Sequence, residues 1–344
     1  KYNKQIVPLY EVLDIDIGIG YQTDIDTSYA PFLDNFKLPN YSNSNNPTLP
    51  DNAISVFLHY LLINATKNNS KEIDLKNEVL PAEIAYKDLP PSFSVFLRVL
   101  NSQTNKLFIE SAVGTTANKF ISRFTQNSDD IFKIAKDVAK HEQSFYGEDI
   151  LMAEVIHIGN NRVTNITSSR KIRDYSIRYI VNADPDDETT MSIKDLLVTV
   201  HNNLIFVISK RHNKVVLPIV SNAILSNNSS VPIYRFLSDI HDQFYIRHLE
   251  FKWSIVPNYH LYKFFPRITY GQTILSPATW IIYKYEFDLF YEKGINTVTI
   301  KEFKEKQNLQ SSNSIWVLED NELFIEWNNL LSVKAFAHSL KSYS

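Results

Sequence analysis

The sequence predicts an α+β fold, with mainly antiparallel sheets and flanking helices. Runs of strand character outnumber helical runs, and neighbouring strand runs are joined by short Asn-rich turns such as 101–105, 202–203 and 210–213. Such turns suit hairpins and meanders, because parallel neighbours need crossovers of a dozen residues or more. The helical runs stand apart from one another with their own caps or apolar stripes, and no internal repeat orders them.

In chain order, 8–13 reads as a short helix, followed by an acidic and then Asn/Ser/Pro-rich stretch ending in PNYSNSNNPTLPDN, which reads as loop. Asp51 is placed to cap a helix whose core face is Ile54, Phe57, Leu58, Leu61 and Leu62. After Pro90-Pro91 come strand runs at 93–100 and 106–111, then KFISRF at 119–124, with Arg123 at a strand end. Ser128 caps the clearest helix, with two acids in its positive first turn and a stripe of Ile131, Ile134, Ala135 and Val138. A sub-boundary falls near 145–150. Three β runs at 196–201, 204–209 and 214–220 have the spacing of a meander. A helix with Pro232 in its first turn presents Ile233, Phe236, Leu237, Ile240 and Phe244. Strands at 267–275 and 279–284, helices at 286–293 and 299–308 (Thr299 and Glu302 spaced as a capping box), a hairpin over 319–321 and a polar helix complete the chain.

Composition excludes several kinds of chemistry. The chain of 344 residues is 44% hydrophobic and 13% aromatic, enough for one large domain or two. It has no cysteine, which removes disulfides, thiolate catalysis and Cys-type zinc sites and fits a reducing, cytoplasmic setting. No apolar run is long enough to span a bilayer, and KYNKQIVPLY is not a signal peptide. Its seven glycines are few, and Gly18-Ile-Gly20 lacks the third glycine and the lysine of a phosphate loop. The nine histidines show no zincin spacing, so no metal is expected, and no G-x-S-x-G marks a serine hydrolase. Asp14/Asp16 and Asp24/Asp26 read as a solvated acidic loop rather than a glycosidase pair. The start at Lys1 reads as the interior of a longer polypeptide.

What remains is cationic. Of ten arginines, four fall between 162 and 178, where Arg162, Arg170, Lys171, Arg173 and Arg178 face only Asp174, in a chain of net charge −3. Guanidinium groups grip oxyanions bidentately, so this stretch is suited to phosphate or carboxylate; a solvated loop with ordinary ion pairs is the other reading. Arg162 follows a Gly-Asn-Asn turn in a polar loop with no apolar reason to exist, and Asn161 and Asn165 are near enough in sequence to fix its fork. Such a site would bind an oxyanion and stabilise developing charge. The proton-transfer groups are not identifiable from sequence.

Several runs then occur in a familiar order: YEVLDIDIGIGY at 10–21, SRFT at 122–125, ILMAEVIHIGNNRVTNI at 150–166, RKIRDYSI at 170–177, DLLVTV followed by LIFVISKRHNKVVLPIVSNA, PIYRFLSDI at 232–240, FFPRITYGQTILSPATW at 264–280 and EDNELFI at 319–325. Together they resemble the lantibiotic dehydratases of class I lanthipeptide biosynthesis, over nearly the whole chain. The resemblance implies that 1–344 is the second half of a larger glutamylation domain. That domain moves glutamate from glutamyl-tRNA, the co-substrate, onto Ser and Thr of a precursor peptide, with no other cofactor; an elimination domain or separate subunit then forms the dehydroamino acids. It maps the family's functional arginine in a Ser-Arg-x-x-Asn loop onto Arg162, with Asn165 matching and Asn161 in place of the serine. It maps an Arg-Phe-Thr position onto Arg123 as a further catalytic candidate, and leaves Arg170, Lys171, Arg173 and Arg178 as substrate-binding cations facing the tRNA or as structural ones. It further implies a cytoplasmic enzyme, in contact with the membrane only peripherally through a biosynthetic complex. A half-domain with unpaired sheet edges is expected to be inactive alone and to dimerise. Two other readings stand beside it: a non-catalytic scaffold or split-enzyme subunit binding peptide or tRNA, and an aminoacyl-tRNA-dependent peptide ligase without elimination.

Overall fold

The computed structural model describes residues 5–21, 53–81, 89–157, 169–179, 187–223, 231–245, 252–318 and 321–342. β1 (Val7–Pro8) and α1 (Leu9–Leu13) come first, then α2 (Ala53–Lys67) and β2 (Glu72–Asp74). A hairpin of β3 (Ser94–Asn101) and β4 (Lys106–Val113) follows, then α3 (Asn118–Ile121) and α4 (Asp129–Tyr146). β5 (Ile150–Ile156), β6 (Tyr175–Arg178) and β7 (Thr190–Ser192) precede the meander of β8 (Leu196–His201), β9 (Leu204–Ser209) and β10 (Lys214–Ile219). After α5 (Pro232–Asp242) come four short strands: β11 (Phe264–Phe265), β12 (Arg267–Tyr270), β13 (Thr273–Ser276) and β14 (Thr279–Trp280). α6 (Asp288–Glu292), α7 (Thr297–Lys306), the hairpin of β15 (Asn313–Leu318) and β16 (Asn321–Glu326), and α8 (Leu330–Ser342) complete it.

In this glycine-poor chain asparagine turns the backbone. Every non-glycine residue with positive φ among the described residues is an Asn, including Asn105, Asn202, Asn203 and Asn213. Asn tolerates the left-handed region better than other residues with a Cβ, and two successive such residues, Asn202 and Asn203, suit the tight turn joining β8 to β9.

Two larger sheets result. One has the order β1-β8-β9-β10-β5-β6-β7, the other β2-β12-β13-β4-β3. Among the described strand pairings seven are antiparallel and five parallel, so the expected α+β class with mainly antiparallel sheets holds. The parallel pairs join strands far apart in sequence, Val215 with Ile150 and Thr273 with Leu107, where no local turn announces them. β10, β5, β6 and β7 form a continuous parallel block. The seven-stranded sheet also draws on both sides of 145–150, because Val7 pairs with Val198.

Three main cores hold the elements. On one face of the seven-stranded sheet, Ala153, Val155, Ile177, Val207 and Val216 pack against Phe236, Leu237 and Ile240 of α5 and Leu9 of α1. The other large sheet packs Ile73 and Ile268 against Phe57, Leu58, Leu61 and Leu62 of α2. The third core gathers Phe287, Phe290, Phe303, Trp327 and Phe336 from the C-terminal helices and hairpin.

Local details depart from expectation. Ser128 does cap α4, accepting from the Ile131 N–H at 3.3 Å, but the buried stripe is Ala135, Ala139 and Glu142, with Ile134 left 54% exposed. A polar contact, described below, sets the rotation of this helix. β13 pairs with β12 around Gly271, whereas β14 pairs with β11; the expected 267–284 strand pair is thus split between two sheets. The helix near 299 is capped three residues earlier than read, by Asn296 in a capping box with Thr299.

Candidate functional site at the ends of the parallel strands

In open sheets with parallel strands, ligands bind outside the carboxyl ends at the point where successive connections leave in opposite directions. Here the chain leaves β5 towards β6 on one side, and β10, reached last, returns to its other side. The carboxyl ends of β5 and β10 are therefore where the topology favours a ligand. His157, immediately past β5, lies there against two rings: Tyr234 of α5 at a centroid distance of 4.2 Å and 26°, and Tyr179 at 6.1 Å and 18°. Its Nδ1 is hydrogen-bonded to the Tyr179 hydroxyl. Tyr234, fully buried, donates to Asn222 Oδ1 at 3.0 Å, just beyond the end of β10. Burial lowers the His157 pKa, which keeps its ring neutral, and pushes the Tyr234 phenol up to about 12. Burial raises Tyr179 as well.

Another buried polar cluster fastens these strands to the elements around them. Glu142 of α4 is completely buried, accepting from Thr116 Oγ1 at 2.7 Å, from Ser92 Oγ and from Arg173 Nη2. Glu154, in the middle of β5, accepts from the Ser221 N–H at 2.9 Å and its hydroxyl at 2.7 Å. Arg173 Nε lies 3.4 Å from Glu154 Oε2, close enough to pair electrostatically but not aligned as a hydrogen bond. Burial pushes the Glu154 carboxyl up against the opposing pull of Arg173 and Ser221. This cluster explains the rotation of α4: seating Glu142 on Arg173 places Ala139 and Ala135, one and two turns earlier, inside as well. Charge inside a fold survives only when it is paired and hydrogen-bonded, and truncating one partner of such a pair costs about 3–5 kcal/mol.

The sequence-derived candidates separate in this frame. Arg162 and Asn165 lie outside the described residues, in the segment that begins directly after His157. Arg123 is not at a strand end but in a 3-10 turn, Ser122–Phe124, held by Thr125 Oγ1 on Ser122 O at 2.6 Å and by Ser122 Oγ on the Ser221 carbonyl. The Arg123 side chain is exposed beside the end of β10, over the Phe124 ring at 4.7 Å. Arg170 stacks on Phe132 at 3.7 Å and pairs with Asp129 at 2.6 Å, and its N–H donates to Thr125 Oγ1 at 3.0 Å. Lys171 Nζ donates to Thr189 Oγ1 at 2.8 Å. Arg173 departs most from the expectation of a substrate-facing cation: its side chain is 3% exposed and held by Glu142 and Glu154. Arg178, exposed, is the last residue of β6, in register with Ile156. Among the described residues no group of three metal-ligating side chains occurs, and no helix is long and apolar enough to cross a membrane.

Sequence reasoning passed over His157, Tyr179, Tyr234, Glu142 and Glu154. One signal was legible: a glutamate inside the apolar run LMAEVI requires a buried partner. The partners come from α4 and from the approach to β6, which only the fold brings together.

Comparison with known proteins bears on this geometry. Residues 1–333 match the family model described as lantibiotic dehydratase, N terminus. The subtilin biosynthesis protein SpaB of Bacillus subtilis is 23% identical over 345 residues, covering 97% of this chain and 32% of SpaB. The crystal structure of the tRNA-dependent lantibiotic dehydratase MibB from Microbispora sp. 107891 superposes with a TM-score of 0.68 at 18% identity, covering 96% of this chain and 32% of MibB. The glutamylation domain of TbtB, from thiomuracin biosynthesis, gives a TM-score of 0.56 at 14% identity, over 83% of this chain and 34% of that one. The chain thus spans about a third of the length of these relatives.

Proposed function

Since the chain belongs to the lantibiotic dehydratase family and corresponds to part of its N-terminal region, we propose that it carries part of the glutamylation site of such an enzyme. It would transfer glutamate from glutamyl-tRNA to Ser or Thr hydroxyls of a precursor peptide. The observation that supports this reading best is the convergence of a polar strand-end cluster around His157, an exposed Arg123 beside β10 and an exposed Arg178 ending β6 at one edge of the parallel block. Acyl transfer from an ester to a hydroxyl calls for oxyanion stabilisation and a proton path, without a metal or nucleotide loop. Arg162 and Asn165 are assigned to the glutamyl carboxylate or the tetrahedral oxyanion. Arg123 and Arg178 are assigned to tRNA phosphates, so tRNA affinity should fall steeply with salt. Elimination is assigned to other parts of the full-length enzyme or to a separate subunit, and the exposed edge strand β3 to self-association of the isolated chain.

The test is Arg162→Ala in the full-length enzyme, supplied with charged tRNA and precursor peptide, with glutamyl adducts counted by mass spectrometry. Removal of an oxyanion-stabilising group should slow transfer by about 10²–10³. Adducts formed at the wild-type rate reject the assignment.

A further inference from the structure

We propose that His157 is the general base of this acyl transfer, taking the proton of the acceptor hydroxyl and returning it to the departing tRNA ribose oxygen. The inference rests on the glutamyl-transfer reading above. His157 immediately follows β5 at the point where the parallel connections diverge.

Its ring is held on several sides. Tyr234 stacks on it at 4.2 Å, and Tyr179 lies nearly parallel at 6.1 Å with its hydroxyl on Nδ1. The proposed base is the tautomer in which Nδ1–H donates to the Tyr179 oxygen, which puts the lone pair on Nε2; among the described residues nothing bonds that atom. A fixed imidazole with one nitrogen bonded to an orienting group and the other free is the arrangement that base catalysis on a hydroxyl requires. The ring is half-buried and so remains reachable.

The other groups at this edge are less suited. Glu154 is engaged by Ser221 and Arg173, the Tyr234 hydroxyl donates to Asn222, and arginine holds its proton. His241 is buried against Thr115, with Nδ1 at 2.9 Å from its hydroxyl. In the proposed step the acceptor oxygen bonds to the ester carbonyl carbon while Nε2 takes its proton. The carbon–ribose oxygen bond then breaks, and the imidazolium gives that proton to the ribose oxygen. The products are the peptide glutamyl ester and tRNA with a free hydroxyl, with no other reactant consumed.

Among the described residues the charged and titratable groups that bear on His157 are Arg178 at the end of β6, Tyr179 just past it and Tyr234 on α5, with Glu154 and Asp242 acting behind Tyr234. The wild-type rate should therefore fall with acid only below the ordinary histidine value of 6.5, because burial lowers His157. In the full-length enzyme, His157→Gln should cut single-turnover glutamylation by ~100-fold or more and remove that acid limb, while tRNA binding is unchanged. Tyr179→Phe keeps the ring and removes the hydrogen bond. It should move the acid limb to lower pH, because the bond favours the imidazolium over the neutral ring. Transfer by His157→Gln at the wild-type rate overturns the assignment, as does a slowed enzyme whose acid limb is intact. An acid limb left in place in Tyr179→Phe overturns it too, which covers a His157→Gln enzyme that fails to fold. A wild-type enzyme that forms no glutamyl ester would instead remove the glutamyl-transfer reading, and this inference with it.

Discussion

The two large sheets are alike in construction and opposite in fate. Each mixes parallel with antiparallel pairs, and each has beside or within it an arginine bound to two glutamates. At the seven-stranded sheet that arginine is Arg173, on the approach to β6, sealed between Glu142 and Glu154 beneath α4. In the five-stranded sheet it is Arg98, on an edge strand with seven of its eight residues exposed, paired with Glu110 and with Glu322 at 3.0 Å. The same ionic motif locks a core in one sheet and is rinsed by solvent in the other. Burial, not residue type or charge density, decides whether an arginine is structural or available.

The largest effect should come from breaking the sealed pair. Arg173→Ala leaves two carboxylates in the interior and should cost about 3–5 kcal/mol, read from the urea midpoint. Next is a pH effect confined to the same region. Burial, with Arg173 and Lys119 nearby, pushes His241 down to about 3 from an ordinary 6.5. Between those values the unfolded chain binds a proton that the folded chain refuses. Stability is therefore fully present above 6.5 and declines by about 1.4 kcal/mol per pH unit as pH falls below it. His241→Asn should flatten that slope in denaturation curves taken across the range. On the other sheet Arg98→Ala should leave the midpoint close to wild type, because an exposed ion pair is screened; a loss matching that of Arg173→Ala would break the comparison. Smallest of all, Val99→Lys on β3, where Val99 is 61% exposed, should change stability by no more than about 0.5 kcal/mol. It should nevertheless lower self-association of the chain in light scattering, since a lysine blunts a free edge.

The fold was legible wherever neighbours in sequence are neighbours in space. The meander at 196–219 followed from alternation and from Asn turns, and the bounds of β8 and β9 agree with the reading. The cap of α4 followed from Ser128. Elements closed by distant partners were not legible: β14 was read with β13 although it pairs with β11, and Arg123 was read on a strand although Thr125 and Ser221 hold its turn. For the candidate site, the arginine density at 162–178 could not sort its own members. Arg170 and Arg173 are three residues apart; one stacks on Phe132 at the surface and the other lies inside.

The sequence by itself determined the family, the absence of thiol chemistry and the local elements, because these rest on composition, order and short-range pattern. Tertiary structure alone decided which charges are buried, how the parallel strands β10, β5 and β6 assemble, and that His157, Tyr179 and Tyr234 share one edge. Pairing across dozens of residues depends on which faces find complementary partners, and no local stretch of sequence records that.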